Sequence, residues 1–148
     1  MRTMQGSKTL RRVGVVLVGA LLSVGAGIAF PSAAQADRNQ CRDESGLLCF
    51  WQHRSFSGVF GHVEFSNGDW RYLGGGCQES DGRHWSNCAS SIRNEGLSCE
   101  AVVYDLPNYA GASWVINRDT EAADLTQWGM PGSDNWNDKI SSNNWWCG

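Results

Sequence analysis

The chain has 148 residues and a formal net charge of −3, room for one domain and hardly two. Four basic residues and no acid precede residue 37, so the remainder sets eight Lys and Arg against 15 Asp and Glu, a net charge of −7. An acidic body is repelled by phosphate backbones and anionic lipid, which argues against nucleic-acid or membrane-surface binding, and the six Cys and eight Trp beyond residue 37 exclude a disordered tail.

Residues 1–36 read as a signal peptide that is removed. Met1 to Arg12 is basic, Val13 to Phe30 is apolar, and Ala34-Gln35-Ala36 supplies the small residues that a signal peptidase accepts. The alternative is a retained anchor, since the run approaches the roughly 20 residues that span a bilayer. Cleavage after Ala36 leaves a secreted, extracellular chain of residues 37–148 with no membrane attachment.

Cys41, Cys49, Cys77, Cys88, Cys99 and Cys147 form an even set with no CxxC, and sequence alone does not resolve their pairing. Sequential bridges, Cys41 to Cys49, Cys77 to Cys88 and Cys99 to Cys147, are the expectation in an oxidising compartment. Zinc on Cys77, His84 and Cys88 is the alternative, but their spacing matches no finger or ribbon.

The strand signals follow in chain order. Leu48–Trp51, Val59–Phe65, Ala101–Tyr104 and Ser113–Ile116 are rich in β-branched and aromatic residues, and several alternate in polarity. Gly74-Gly75-Gly76 predicts a loop, and Thr120 to Trp128 one helical turn. The chain also repeats itself. Trp51-Gln-His-Arg-Ser-Phe56-Ser-Gly58 lies over Tyr104-Asp-Leu-Pro-Asn-Tyr109-Ala-Gly111, Leu73 over Leu125, and Trp85-Ser-Asn-Cys-Ala-Ser90-Ser91 over Trp136-Asn-Asp-Lys-Ile-Ser141-Ser142, at offsets of 53, 52 and 51. Two copies in register predict one domain of two similar halves sharing a core.

The hairpin aromatics followed by a polar box ending in Ser-Ser resemble the Greek-key motif of the βγ-crystallins. More closely, Cys41-Arg-Asp-Glu-Ser-Gly-Leu-Leu-Cys49-Phe-Trp51, Phe56-Ser-Gly58 and Asn87-Cys-Ala-Ser90-Ser91-Ile-Arg-Asn94 resemble the secreted actinobacterial peptidase inhibitors of family I36. The resemblance implies an all-β, disulfide-stabilised βγ-crystallin-like sandwich, with Greek key one at about 41–96 and Greek key two at about 97–148. It also implies an inhibitor, most directly of zinc metallopeptidases, whose partner is an extracellular peptidase and which acts as a monomer without a required cofactor. The founding inhibitors carry their reactive bond in a short second disulfide loop. Here Glu100 to Pro107 follow Cys99 without another Cys, so no reactive-site residue carries over.

The candidate inhibitory loop is therefore read from the residues. Gly76, Cys77, Glu79, Asp81 and His84 lie in a Gly-rich stretch that a Cys77–Cys88 bridge would brace, with His84 or an acid free to approach a catalytic zinc. Calcium is the one cofactor to weigh. The βγ-crystallin box of two Asn or Asp, two variable residues, then Ser or Thr and Ser is met in full by Asn137-Asp138-Lys139-Ile140-Ser141-Ser142. Such oxygen donors suit calcium. The first copy, with Asn87 and Ser90, opens on Ser86 and departs from the box; in both copies Asn, Asp and Ser could instead close a turn.

Two rival classes remain, a structural calcium module and a carbohydrate or cell-wall binding module. The latter is motivated by the many Trp, of which Trp145 and Trp146 cannot both face one side of a strand. His53, His62 and His84 stand in no catalytic motif, so the chain is read as a non-enzyme.

Overall fold

The computed structural model of the chain describes residues 38–78 and 83–148. The signal-peptide reading and two residues of the candidate loop, Glu79 and Asp81, lie outside the described residues. Among those described, the strands are β1 (Leu48–His53), β2 (Ser57–Val63), β3 (Gly74–Gln78), β4 (Ser91–Asn94), β5 (Glu100–Leu106), β6 (Ala110–Ile116), β7 (Thr120–Ala122) and β8 (Ser142–Trp146), with 3₁₀ turns at Trp70–Tyr72 and Leu125–Gln127.

Each half begins with a hairpin whose aromatics set its shape. Trp51 meets Phe56 edge to face at 5.1 Å, and Tyr104 meets Tyr109 likewise at 5.8 Å. The register slips between Trp51 and His53 and again between Tyr104 and Leu106. Gly58 and Gly111 follow with φ of +82° and +81°, and a Cβ at these positions would stand 2.6 Å from His53 Cδ2 and 2.0 Å from Asp105 Oδ1. Both glycines are thus fixed by conformation and by space.

The strands pack as two antiparallel sheets in the orders β2-β1-β4-β7 and β6-β5-β8. β7 comes from the second half yet pairs with β4 of the first, Ile92 opposite Ala122. In return Asn67 of the first half bridges Asn143 of β8, each donating its N–H to the other's carbonyl at 2.9 Å. This exchange makes the two Greek keys one sandwich. A single core runs through both, with Phe50, Trp70, Trp85 and Ile92 from one half and Val103, Ile116, Leu125, Trp136 and Ile140 from the other. Phe50 stacks on Trp70 at 4.4 Å and meets the edge of Trp85 at 4.7 Å.

β1 is buried on both faces. Its outer side chains, Cys49 and Trp51, form a small second cluster with Cys41 and Phe56. The segment ahead of β1 is held over that face by the Cys41–Cys49 disulfide and by Arg93, which donates to the Cys41 carbonyl at 3.1 Å, contacts Asp43 at 2.6 Å and pairs with the buried Glu95. The other disulfides join Cys77 to Cys88 and Cys99 to Cys147.

Two expectations are corrected here. Gly74-Gly75-Gly76 opens β3 rather than a loop, because Gly74 bridges His84 and a Cβ on Gly76 would stand 2.0 Å from the His84 carbonyl oxygen. The missing side chains permit the close pairing that their number seemed to forbid. Nor does Leu73 correspond to Leu125. Asp69 and Asp124 each cap a 3₁₀ turn, so Trp70 matches Leu125, and Leu73 matches Trp128; each of the latter two returns its N–H to the first residue of its turn. The Trp70 N–H donates to the Ser141 carbonyl at 2.8 Å and the Leu125 N–H to that of Ser90 at 3.0 Å, which fixes this alignment.

Candidate functional site

The two polar boxes lie against each other at the point of exchange. The Asn87 N–H donates to the Ile140 carbonyl at 2.9 Å, and the Asp138 N–H to the Ala89 carbonyl at 3.0 Å. Asn87 and Asp138 both turn with positive φ, 57° and 54°. The final serine of each box fastens its hairpin: Ser91 Oγ donates to the His53 carbonyl and accepts from the Phe56 N–H, while Ser142 Oγ donates to the Leu106 carbonyl and accepts from the Tyr109 N–H. Trp85 and Trp136 sit beneath, both buried.

The side chains cross between boxes. Ser90 Oγ donates to Asp138 Oδ1 at 3.3 Å, and Ser141 Oγ donates to Asn87 Oδ1 at 3.1 Å while lying 3.1 Å from Ser86 Oγ. The structure therefore gathers Asn137, Asp138 and Ser90 in one place and Asn87, Ser141 and Ser86 in another, instead of grouping each box by itself. Sequence order hides this, since the partners stand about fifty positions apart.

The two places differ in chemistry. Beside Ser90 and Asn137 opens a polar cleft of about 870 Å³, also lined by His53, Arg54, Asp124 and Thr126. A smaller one of about 280 Å³ reaches Asp138, Ser90, Asn87 and the Cys77–Cys88 bridge. Asp138 is exposed as a residue, yet its carboxylate reaches inward, and partial burial raises its pKa against the hydrogen bonds from Ser90 and Asn137 and the pull of the exposed Lys139 and of His53. Asp124 is held below the usual carboxylate range, first by the Thr126 hydroxyl, which donates at 2.6 Å. Asp69, its counterpart, is lowered chiefly by Arg71. Sequence reasoning missed Asp124 and His53. Asp-x-Thr and Asp-x-Arg at the turn starts were the available signal.

The Gly76–His84 stretch does not present its histidine. His84 is buried, and its backbone is bridged to Gly74. Cys77 and Cys88 are joined to each other, which removes them as zinc ligands, and no group of three or more His, Cys, Asp or Glu able to hold a metal occurs among the described residues.

A different segment is both held and exposed. Leu97 is 64% exposed, and its carbonyl accepts from Arg118 Nη1 at 2.8 Å. Asn94, wholly buried, accepts from the Gly96 N–H at 2.8 Å and donates to the Ile116 carbonyl at 2.8 Å, while Cys99 is tied to Cys147. Gly96–Cys99 is thus an apolar apex between two anchors. An apolar residue between Gly and Cys was its mark in the sequence.

Most tryptophans serve the core. Trp146 is 58% and Trp128 43% exposed, and the Trp128 ring lies tilted against that of the half-buried Trp114, centroids 4.8 Å apart.

Residues 34–116, more than half of the chain, match the peptidase inhibitor family I36. The chain belongs to that family. Membership places it among proteins that act on peptidases as inhibitors, and a peptidase is its implied partner. No curated protein matches this I36 chain. Among solved structures it is similar to one from work on the evolution of the eye-lens βγ-crystallin domain fold, at 20% identity and TM-score 0.55, over 70% of this chain and 87% of that one. A βγ-crystallin from Ciona intestinalis aligns at 21% identity and TM-score 0.53, over 68% and 100% of the two chains. Spherulin 3a from Physarum polycephalum aligns at 20% and 0.51, over 73% and 89%. At these identities the likeness shows the fold, a βγ-crystallin-like sandwich.

Proposed function

We propose that this I36 chain is a secreted inhibitor of zinc metallopeptidases, without catalytic activity of its own, and that it presents Gly96–Cys99 to the enzyme. The observation that carries the reading is the family match together with the held, exposed Leu97. A loop already fixed by a disulfide and by Asn94 and Arg118 loses little freedom on docking, so more of its contact energy appears as affinity. The metallopeptidase class follows from the resemblance to the founding inhibitors, and export from the three disulfides and the basic-then-apolar amino terminus. The test is residual activity of thermolysin-like, serine and cysteine peptidases with excess oxidised protein of residues 37–148. Inhibition of the first class is expected, with Leu97→Asp weakening it by on the order of a hundredfold, as for an interface hot spot. Full activity in every class would sink the reading.

A second reading is favoured by Asp138. Its partly buried carboxylate, with Ser90 Oγ and the Asn137 amide beside it, is an oxygen-only donor set that fits a calcium ion, and these three residues would hold it. Bound there, calcium would supply charge neutralisation where the two boxes cross. A ligand that binds only the native state raises the melting temperature. Millimolar calcium should therefore raise that of the wild type and leave Asp138→Asn unmoved; no calorimetric heat and no shift would remove the reading.

A further inference from the structure

Behind the Gly96–Cys99 loop, and partly walled by it, lies a cleft of about 330 Å³. Its walls come from four separate segments: Ser45 and Gly46 ahead of β1, Glu64 and Phe65 after β2, Leu97 of the loop, and Trp145 of β8. Phe65 is 73% exposed, and with Leu97 it gives the rim two large apolar side chains in water. An exposed apolar pair around a concavity is a mark of an interaction site.

The polar atoms say what the occupant carries. Ser45 Oγ and Trp145 Nε1 are closed off from solvent and have no hydrogen-bond partner, an unfavourable state for either group. The indole N–H can only donate and the hydroxyl can donate as well, so together they call for an acceptor oxygen. Charge narrows the choice further. Glu64 is the one charged residue among those lining the cleft, and the neighbouring Arg118, which is not among them, is engaged with the Leu97 carbonyl at 2.8 Å, so an anionic group is disfavoured.

We propose that this cleft takes a peptide segment of a protein partner, through one uncharged apolar side chain and the carbonyl oxygen next to it. The side chain enters between Phe65 and Leu97, and the carbonyl accepts from Trp145 Nε1 and Ser45 Oγ. Leu97 rests on Gly46, where a Cβ would stand 3.6 Å from its Cγ, and it moves aside as the occupant reaches the two closed-off donors. The cleft shares Leu97 with the proposed inhibitory loop, but its two donors, Ser45 Oγ and Trp145 Nε1, lie outside that loop, so the inference stands even where peptidase inhibition fails.

The experiment uses no peptidase, so its failure and that of the inhibitory reading are distinguishable. Oxidised, ¹⁵N-labelled protein is titrated with N-acetyl-L-leucinamide, and the Trp145 indole N–H resonance, identified by its loss in Trp145→Phe, is followed. A saturable shift with a dissociation constant on the order of millimolar is expected for so small a probe. Ser45→Ala, which removes one donor without touching the core, should weaken it about fivefold. N-acetyl-L-leucine, which replaces the amide by a carboxylate, should bind more weakly. An unmoved Trp145 signal, equal binding of the carboxylate, an unchanged constant in Ser45→Ala, or a saturable response to octyl glucoside in place of the amide would overturn the proposal.

Discussion

In the first box Asn87 turns with φ 57° and hands its N–H to the Ile140 carbonyl; in the second, Asp138 turns with φ 54° and hands its own to that of Ala89. The backbones repeat almost bond for bond, but the side chains do not. Asn87 closes onto Ser141, with Ser86 alongside, so the amide and hydroxyls satisfy one another. Asp138 brings a carboxylate to Ser90 beside an open cleft. At the third position of the boxes stand Cys88, buried in a disulfide, and the exposed Lys139. Duplication has kept the hydrogen bonds that hold the halves together and released the side chains for different work.

The strongest way to test that the halves share one core is to hollow each in turn. Trp85→Ala and Trp136→Ala remove side chains that are both 1% exposed, and each should cost about 3–5 kcal/mol in denaturant unfolding. Trp85 meets Phe50 at 4.7 Å and Trp136 meets Trp114 at 6.0 Å. Two separate transitions in either variant would mean that the halves unfold independently, against the exchange of β7 and Asn67.

The brace in the first box comes next. Replacing Cys77 and Cys88 together by Ser opens a loop with a sequence separation of 11, which in the chain-entropy account costs about 3 kcal/mol. Near-native inhibition by the surviving fold would support Gly96–Cys99 as the presented segment. Its loss would return the role to the stretch before Trp85.

Smaller effects should separate backbone from side chain. Ser91→Ala and Ser142→Ala each remove a hydroxyl that donates to one hairpin carbonyl and accepts from one N–H, and both serines are wholly buried. Each should cost roughly 1–3 kcal/mol, since the hairpin groups are left without a partner. Equal losses would confirm that this pair belongs to the repeated frame. A loss confined to one serine would show that the equivalence stops at geometry.

What was legible in the sequence was whatever repeats locally. Trp51 with Phe56 and Tyr104 with Tyr109, each followed by Gly, announced two hairpins, and Trp85 and Trp136 announced two core anchors. Contacts between halves were not legible. Nothing local says that Thr120–Ala122 pairs with β4, or that Ser90 faces Asp138, because an exchange of strands joins residues by symmetry and not by spacing. The glycine run misled for a related reason: Gly76 has no side chain because His84 fills its place. Leu97 went unread because exposure is settled only by what the fold leaves uncovered.

The smallest effect bears on the one carboxylate that the boxes do not share. Burial raises the pKa of Asp138, so its contribution to stability is in place below the ordinary carboxylate range and is lost as pH rises through the higher folded value. Asp69 and Asp124 act oppositely: Arg71 and Thr126 lower their pKa values, and their contributions are present at neutral pH and lost as pH falls below the ordinary range. Asp138→Asn should therefore remove the loss on the neutral side and leave the acid side as it was. The gain near neutral pH should stay under about 1 kcal/mol, because water screens an exposed residue. Unfolding curves at about pH 3 and about pH 7 provide the measurement. If Asp138→Asn proves neutral at both values while calcium still raises the melting temperature of the wild type, the carboxylate serves the ion and not the fold.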